Sequence, residues 1–311
     1  MQSSVLKMQQ LELNTIHVGD NIEGMRQLPD GCVDVCVTSP PYYNLRDYKT
    51  GRQIGVEESA DLYIQNLCNV FDEVYRVTKS GGVCWVNIGD TYHNKSLLQI
   101  PSRFELEMSK RGWKLRNEII WSKPNPQPIS SKDRFWTNHE KLFMFVKNVK
   151  GYYFDQPRVP QAEISIRRMF SKNHINRRKD KGTQGKEGFA LSSTRQDEHY
   201  KKMRENLGVT KDFNYEELVA SGNVPTRPKF TVWDISSKGY KGAHFAVYPE
   251  ELVVDPILSS SPPDGVVLDP FMGAGTTAVA ALHNDRNFIG FELNPEYQQL
   301  AMNRIKEECY E

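Results

Sequence analysis

An α/β fold, built from short apolar strands alternating with helices, is what this 311-residue sequence predicts. The run Val33-Asp34-Val35-Cys36-Val37 is brief, apolar and rich in β-branched residues, so it reads as a buried strand. Leu62, Leu67, Val70, Phe71, Val74 and Val77 then recur at helical spacing before a further strand-like run, Val83–Ile88. Near the other end, the apolar stretch Val266–Asp269 passes through Gly273 and Gly275 into an alanine-rich helix start, and a second strand, Asn287–Glu292, follows.

The remaining elements follow in chain order. Asn14–Asp20 reads as a strand ending in an acid, with a short helix through Ile22, Met25 and Leu28 behind it. Asp20 suits a helix cap and equally a strand-end binding position. Gly51–Ser59 carries two glycines and several polar residues and is expected to be a mobile loop. Gly81-Gly82 is the expected stop of the helical stripe. Asn87 and Asp90 are either polar groups behind a site or loop anchors. A helix from about Ser102 to Lys110 and a strand Leu115–Trp121 lead into Ser122–Pro128, whose three prolines exclude helix or central strand. Phe135-Trp136 and a strand Lys141–Val146 close this half. Pro249, with Glu250 and Glu251 behind it, begins a helix, and an amphipathic helix Pro295–Glu308 ends the chain.

From about Val159 to Lys229 the periodicity weakens. Between Gln161 and Thr231 the bases exceed the acids by six, although the whole chain carries only +1. The densest part, Arg167–Lys186, has eight bases and one acid. Such a run is either a solvated face or a phosphate-binding segment.

Two stretches carry chemistry. Thr38-Ser39-Pro40-Pro41-Tyr42-Tyr43 ends the first strand in a corner stiffened by two prolines, each fixing its own φ and lacking a donor. Free carbonyls beside an aromatic face suit a planar group with an exocyclic amine; a plain Pro-Pro turn with core tyrosines is the other reading. In Asp269-Pro270-Phe271-Met272-Gly273-Ala274-Gly275-Thr276-Thr277, the glycines permit a tight turn and a close approach to a ligand. Glu292, at the end of the next strand, can accept from both hydroxyls of a ribose. The glycine pattern alone also fits a nicotinamide-dependent oxidoreductase, but it lacks the Gly-Lys-Ser/Thr of a P-loop.

Together, in this order, Ser39-Pro40-Pro41-Tyr42 and Phe271-Met272-Gly273-Ala274-Gly275 resemble the amino-methylating DNA methyltransferases of the permuted beta class. The resemblance covers roughly residues 14–150 and 240–305. It implies a Rossmann-like, mostly parallel sheet with helices on both faces and circularly permuted motif order. It divides the chain into a catalytic half (1–150), a target-recognition insertion (151–235) and a cofactor half (236–311). The implied cofactor is S-adenosylmethionine, held by Asp20, Asp269, Phe271, Gly273, Gly275, Thr276, Thr277, Glu292, His244 and Phe245. The implied substrate is double-stranded DNA, with Ser39, Pro40, Pro41 and Tyr42 around a flipped base and Arg167, Arg168, Lys172, Arg177, Arg178 and Lys179 on phosphates. Trp121 and Trp136 stand where the family lines its base pocket; core packing is their other reading. Serine at the head of the corner points to the N4 amine of cytosine, with the N6 amine of adenine as the alternative. Ring-carbon methylation would require a Pro-Cys nucleophile, and no cysteine here follows a proline. A homodimer and a companion restriction endonuclease are the partners the resemblance adds.

Composition sets the bounds. Hydrophobic residues make up 38% and charged residues 25%, without an apolar run of about 18 residues, so no membrane span is expected. The first twelve residues lack the apolar core of a signal peptide. Five cysteines without a C-x-x-C pair suit a reduced, cytoplasmic setting and no metal site.

Overall fold

The computed structural model describes residues 12–45, 53–170, 205, 212–237 and 248–311. Along the chain the elements run β1 (Thr15–Val18), α1 (Asn21–Met25), β2 (Val33–Thr38), α2 (Ala60–Val77), β3 (Thr78–Ile88), β4 (Tyr92–His93) and β5 (Ser96–Leu97). Next come α3 (Ile100–Lys110), β6 (Lys114–Ser122), β7 (His139–Val146), β8 (Arg158–Pro160), α4 (Glu163–Phe170), α5 (Tyr215–Ala220) and β9 (Thr226–Pro228). The last are β10 (Val232–Asp234), α6 (Glu250–Ser260), β11 (Val266–Asp269), α7 (Thr276–His283), β12 (Asn287–Glu292) and α8 (Pro295–Cys309).

Contacts divide the chain into two units, Met1–Asp155 with Phe230–Glu311, and Gln156–Lys229. The larger unit is organised by one sheet in the order β1-β12-β11-β2-β3-β7-β6-β10. Every neighbouring pair is parallel except those made by β7, which runs antiparallel to both β3 and β6. A core lies on each face. Val35, Val37, Val83 and Trp85 point to the side packed with α6, α7 and α8. Cys36, Cys84, Val86 and Ile88 point to the side packed with α2 and α3. Val33 shares that second side despite its odd spacing from Cys36, because the register against β3 shifts between Val33 and Val35.

Helix α2 starts at Ser59, whose side chain accepts from the Leu62 N–H, and buries Leu67, Val70, Phe71, Val74 and Val77 as the stripe predicts. Leu62 is the exception: it begins the helix on the solvent side. The expected stop at Gly81-Gly82 is corrected as well. The helix ends at Thr78, which turns directly into β3, and the two glycines lie inside that strand. Their role is close packing. A Cβ on Gly82 would stand 2.5 Å from Thr78 Cγ2 and 2.6 Å from the Asp34 carbonyl oxygen.

The smaller unit pairs β8 with β9 and gathers Ile166, Phe213, Leu218 and Val224 into its own cluster. All five cysteines carry free thiols, and burial raises the pKa of the Cys36 thiol. Among the described residues no helix is long and apolar enough to cross a membrane, and no His, Cys, Asp and Glu side chains gather as metal ligands would.

Candidate active site

The Ser-Pro-Pro-Tyr corner leaves the carboxyl end of β2. Its Pro41 carbonyl is already engaged, accepting from the Tyr63 hydroxyl at 2.8 Å. The Tyr42 ring lies against Gly89, where a Cβ would come within 2.7 Å of Cε2, so only glycine leaves that room. The phenol is a junction. It donates to Glu140 Oε2 at 2.6 Å and accepts from Asn87 Nδ2 at 2.8 Å and from Ser39 Oγ at 3.4 Å. Asn87 Nδ2 also donates to Glu140 Oε2 at 2.8 Å, and Lys123 Nζ pairs with Glu140 Oε1. The Lys123 ammonium also stands 4.2 Å from the centroid of the Trp121 ring. Burial, and then the charge of Glu140, push the Tyr42 pKa well up, so the phenol keeps its proton.

A second polar cluster sits at the end of β11. Asp269 is fully buried and accepts from Thr38 Oγ1 at 2.5 Å, Thr277 Oγ1 at 2.6 Å, Phe271 N at 2.9 Å and the Tyr248 hydroxyl at 3.2 Å. Burial raises its carboxyl pKa while these donors pull it back down. Past it the chain turns through Gly273, at φ +53°, and Gly275, at φ +81°, into α7. A Cβ on Gly275 would meet Ala301 at 3.1 Å. The Gly273 N–H donates to Glu292 Oε2 at 2.8 Å, and the Asn294 N–H donates to Oε1 at 2.9 Å. Burial raises the Glu292 pKa, which these backbone donors lower in part.

One cavity of about 950 Å³ joins these parts at the carboxyl edge of the sheet. Asp20, Phe271, Gly273, Thr276 and Glu292 line one part, Ser39, Pro40, Pro41 and Tyr42 another, and Trp121, Lys123 and Glu140 a third. Asp20 meets both of its readings in part: it lines the cavity, and its Oδ1 caps α1 by accepting from the Glu23 N–H at 2.9 Å. Asp269, Gly275 and Thr277, grouped from sequence with the cofactor contacts, stand behind the wall, because the hydrogen bonds of Asp269 and Thr277 hold them in the core. His244 and Phe245 lie outside the described residues. So do Lys172, Arg177, Arg178, Lys179 and the side chain of Arg168. Arg167 is committed within its own unit, its Nε donating to Glu163 at 2.6 Å and its guanidinium 4.8 Å from the centroid of Phe213.

Trp121 is buried and lines the cavity, whereas Trp136 is half exposed. Asp90 anchors a loop, its Oδ1 accepting from Ile100 N at 3.0 Å and so capping α3. Glu140 is the residue that sequence reasoning missed. It is the second residue of β7, just ahead of the expected strand Lys141–Val146, so the sequence reading places it outside any element. Because β7 is antiparallel, its beginning, not its end, reaches the edge where the other strands finish.

A mostly parallel sheet whose strand ends bring a glycine turn, a strand-end acid and a Ser-Pro-Pro-Tyr corner onto one cavity defines the Rossmann-like methyltransferase class. The DNA methylase family (N6_N4_Mtase) matches residues 33–303. The chain belongs to that family and is a DNA methyltransferase, which sets aside the nicotinamide-dependent oxidoreductase. It is 35% identical to the Type II methyltransferase M.Cfr9I of Citrobacter freundii, over 96% of this chain and 90% of that protein. It is 33% identical to M.SmaI of Serratia marcescens, over 93% and 90%. The fold resembles that of the cytosine-N4-specific PvuII DNA methyltransferase, with a TM-score of 0.60, 19% identity, and 93% and 85% of the two chains covered. It also resembles the TTHA0409 protein of Thermus thermophilus in its complex with S-adenosyl-L-methionine, with a TM-score of 0.57, 24% identity, and 95% and 96% covered.

Replacing Glu140 with alanine removes the shared acceptor of Tyr42, Asn87 and Lys123. It is expected to lower the unfolding free energy by about 1–3 kcal/mol, measured by denaturant titration. Unchanged stability would mean that the network carries no net energy.

Proposed function

We propose that this DNA methyltransferase, of the permuted class, moves a methyl group from S-adenosylmethionine to the exocyclic N4 amine of a cytosine turned out of the duplex. The observation that carries this reading is the single cavity on which Ser39, Pro40 and Tyr42 meet Gly273 and Glu292. The residues present fit the cofactor. Glu292 offers a carboxylate to ribose hydroxyls, the Gly273 turn gives backbone access, and Asp20 stands ready for the adenine amine. When bound, S-adenosylmethionine supplies a methyl group on a positively charged sulfur.

The work left to the protein is alignment. An exocyclic amine is a weak nucleophile because its lone pair is delocalised into the ring. With the Pro41 carbonyl engaged by Tyr63, the Ser39 hydroxyl and the Pro40 carbonyl are the acceptors for the amine protons. Accepting those protons draws electron density onto the nitrogen. Tyr42, fixed by Glu140 and Asn87, provides a ring for the base to stack against. Holding the partners in near-attack geometry is worth up to roughly 7–11 kcal/mol in the best cases. The choice of cytosine rests on the serine at the head of the corner, whose hydroxyl can donate to an unprotonated ring nitrogen while accepting from the amine, which an ionised aspartate cannot do. Adenine presents the same pair at N1 and N6 and is the alternative substrate. The basic stretch Arg167–Lys186 supports phosphate contact by the target-recognition segment.

Four outcomes test this reading. DNA from a host expressing the chain, digested to nucleosides and separated by mass, is expected to contain N4-methylcytosine; methyladenine without it would sink the choice of base. Modification-sensitive sequencing of the same DNA locates the site, and Ser39→Ala is expected to lower kcat by about 10²–10³-fold with cofactor affinity unchanged. Acidification is expected to weaken S-adenosylmethionine binding at higher pH than an ordinary glutamate would dictate. Glu292 must be ionised to accept, and its pKa is raised, so affinity present at neutral pH is lost as pH falls through that value. Calorimetry over an acid series, with Glu292→Gln flattening the profile, checks this. Neutralising Arg177, Arg178 and Lys179 together is expected to reduce the salt slope of DNA binding by about 3. An unchanged slope would remove them from the interface.

A further inference from the structure

Between Ile129 and Thr137, which both line the cavity, the loop joining β6 to β7 leaves the wall and carries Phe135 out into solvent, 98% exposed. A single exposed apolar side chain is ordinary on a protein surface. This one stands on a clasped base. The guanidinium of Arg134 lies 3.9 Å from the centroid of the Tyr92 ring, and Lys95 Nζ reaches Asp133 Oδ2 at 3.1 Å, so the preceding side of the loop is tied to the β4–β5 hairpin. On the following side the Trp136 indole N–H donates to the Ser131 carbonyl at 3.0 Å. Phe135 is the residue these contacts leave projecting. Lys132 and Arg134 beside it suit a polyanion.

We infer that Phe135 is a stacking wedge that enters the DNA beside the target nucleotide and fills the place it vacates. The inference rests on the reading above that the base is turned out of the duplex. Extrusion leaves two base faces unstacked and one partner base unpaired, and both favour return of the target. An aromatic ring inserted there restores stacking and closes the way back, as apolar wedges do at other kinked base steps. The ring also loses its contact with water only at that moment. A clasped loop spends little ordering entropy in delivering it. Trp136 is ill-suited to the task, because its indole is already bonded to the loop's own backbone.

The test uses the full chain and a duplex carrying the site located by sequencing, with the fluorescent cytosine analogue pyrrolocytosine, which still pairs with guanine, at the target position. Wild-type protein is expected to raise its fluorescence as the base leaves the stack; Phe135→Ala should lose most of that rise at saturating protein, and Phe135→Trp should keep it. Methylation of the natural duplex by Phe135→Ala is expected to fall by roughly 5- to 150-fold in kcat/KM, the worth of one base stacked on an aromatic ring. Placing the target opposite an abasic site makes extrusion easier, and there the loss should largely disappear. The exposed position makes misfolding of either variant a poor explanation for a loss. Equal loss on both duplexes would make Phe135 a general surface contact, and no loss on either would make it idle; each overturns the wedge. A wild-type protein that methylates neither duplex refutes the methyl-transfer reading instead, and the fluorescence of the three proteins still decides on Phe135.

Discussion

Among the described residues the Asp269 carboxyl group is buried without a cationic partner, and Thr38, Thr277, Tyr248 and the Phe271 N–H all donate to it. Thr38 is the last residue of β2, and Ser39 follows it directly. Asp269 is the last residue of β11, and the glycine turn follows that. Through the Thr38–Asp269 bond, groups 231 positions apart in the chain are held in one fixed relation. Transfer between two bound molecules demands that kind of constraint, since small misplacements of reacting groups cost orders of magnitude in rate. Asp269 and Thr277 therefore contribute by holding the strand ends together, from positions that do not line the cavity.

The second constraint comes from sheet topology. A strand inserted antiparallel between β3 and β6 turns its first residues toward the edge where parallel strands finish. Glu140 thereby meets Tyr42, Asn87 and Lys123, three residues from three other segments. The phenol of Tyr42 is tied down at its far end, so its ring is held in one plane. A fixed plane removes the entropy that a freely rotating ring would lose on packing against a flat partner.

The two ends of the chain were largely legible in the amino-acid order. Strand-length apolar runs, the Leu67–Val77 stripe, the helix starts at Pro249 and Pro295 and both short motifs depend on neighbours a few residues away. Local stiffness, helical spacing and the lack of a Cβ leave their marks within such windows. Errors arose where a local sign had a distant cause. Gly81-Gly82 looked like a helix stop, yet the Asp34 carbonyl across the sheet is what forbids a side chain at Gly82. Leu62, five residues ahead of Leu67, falls out of phase with the core stripe and faces solvent, while Tyr63 and Ile64 beside it are buried.

What the sequence determined by itself was the class of fold, the two motifs and their order, because each is written in contiguous residues. Only the tertiary structure decided that Asp269 would brace the site from behind, that Glu140 would join it, and that Phe135 would be left in water at its rim. Those outcomes follow from which strands become neighbours and in which direction they run. Pairing across hundreds of residues leaves no periodic trace in the chain that makes it.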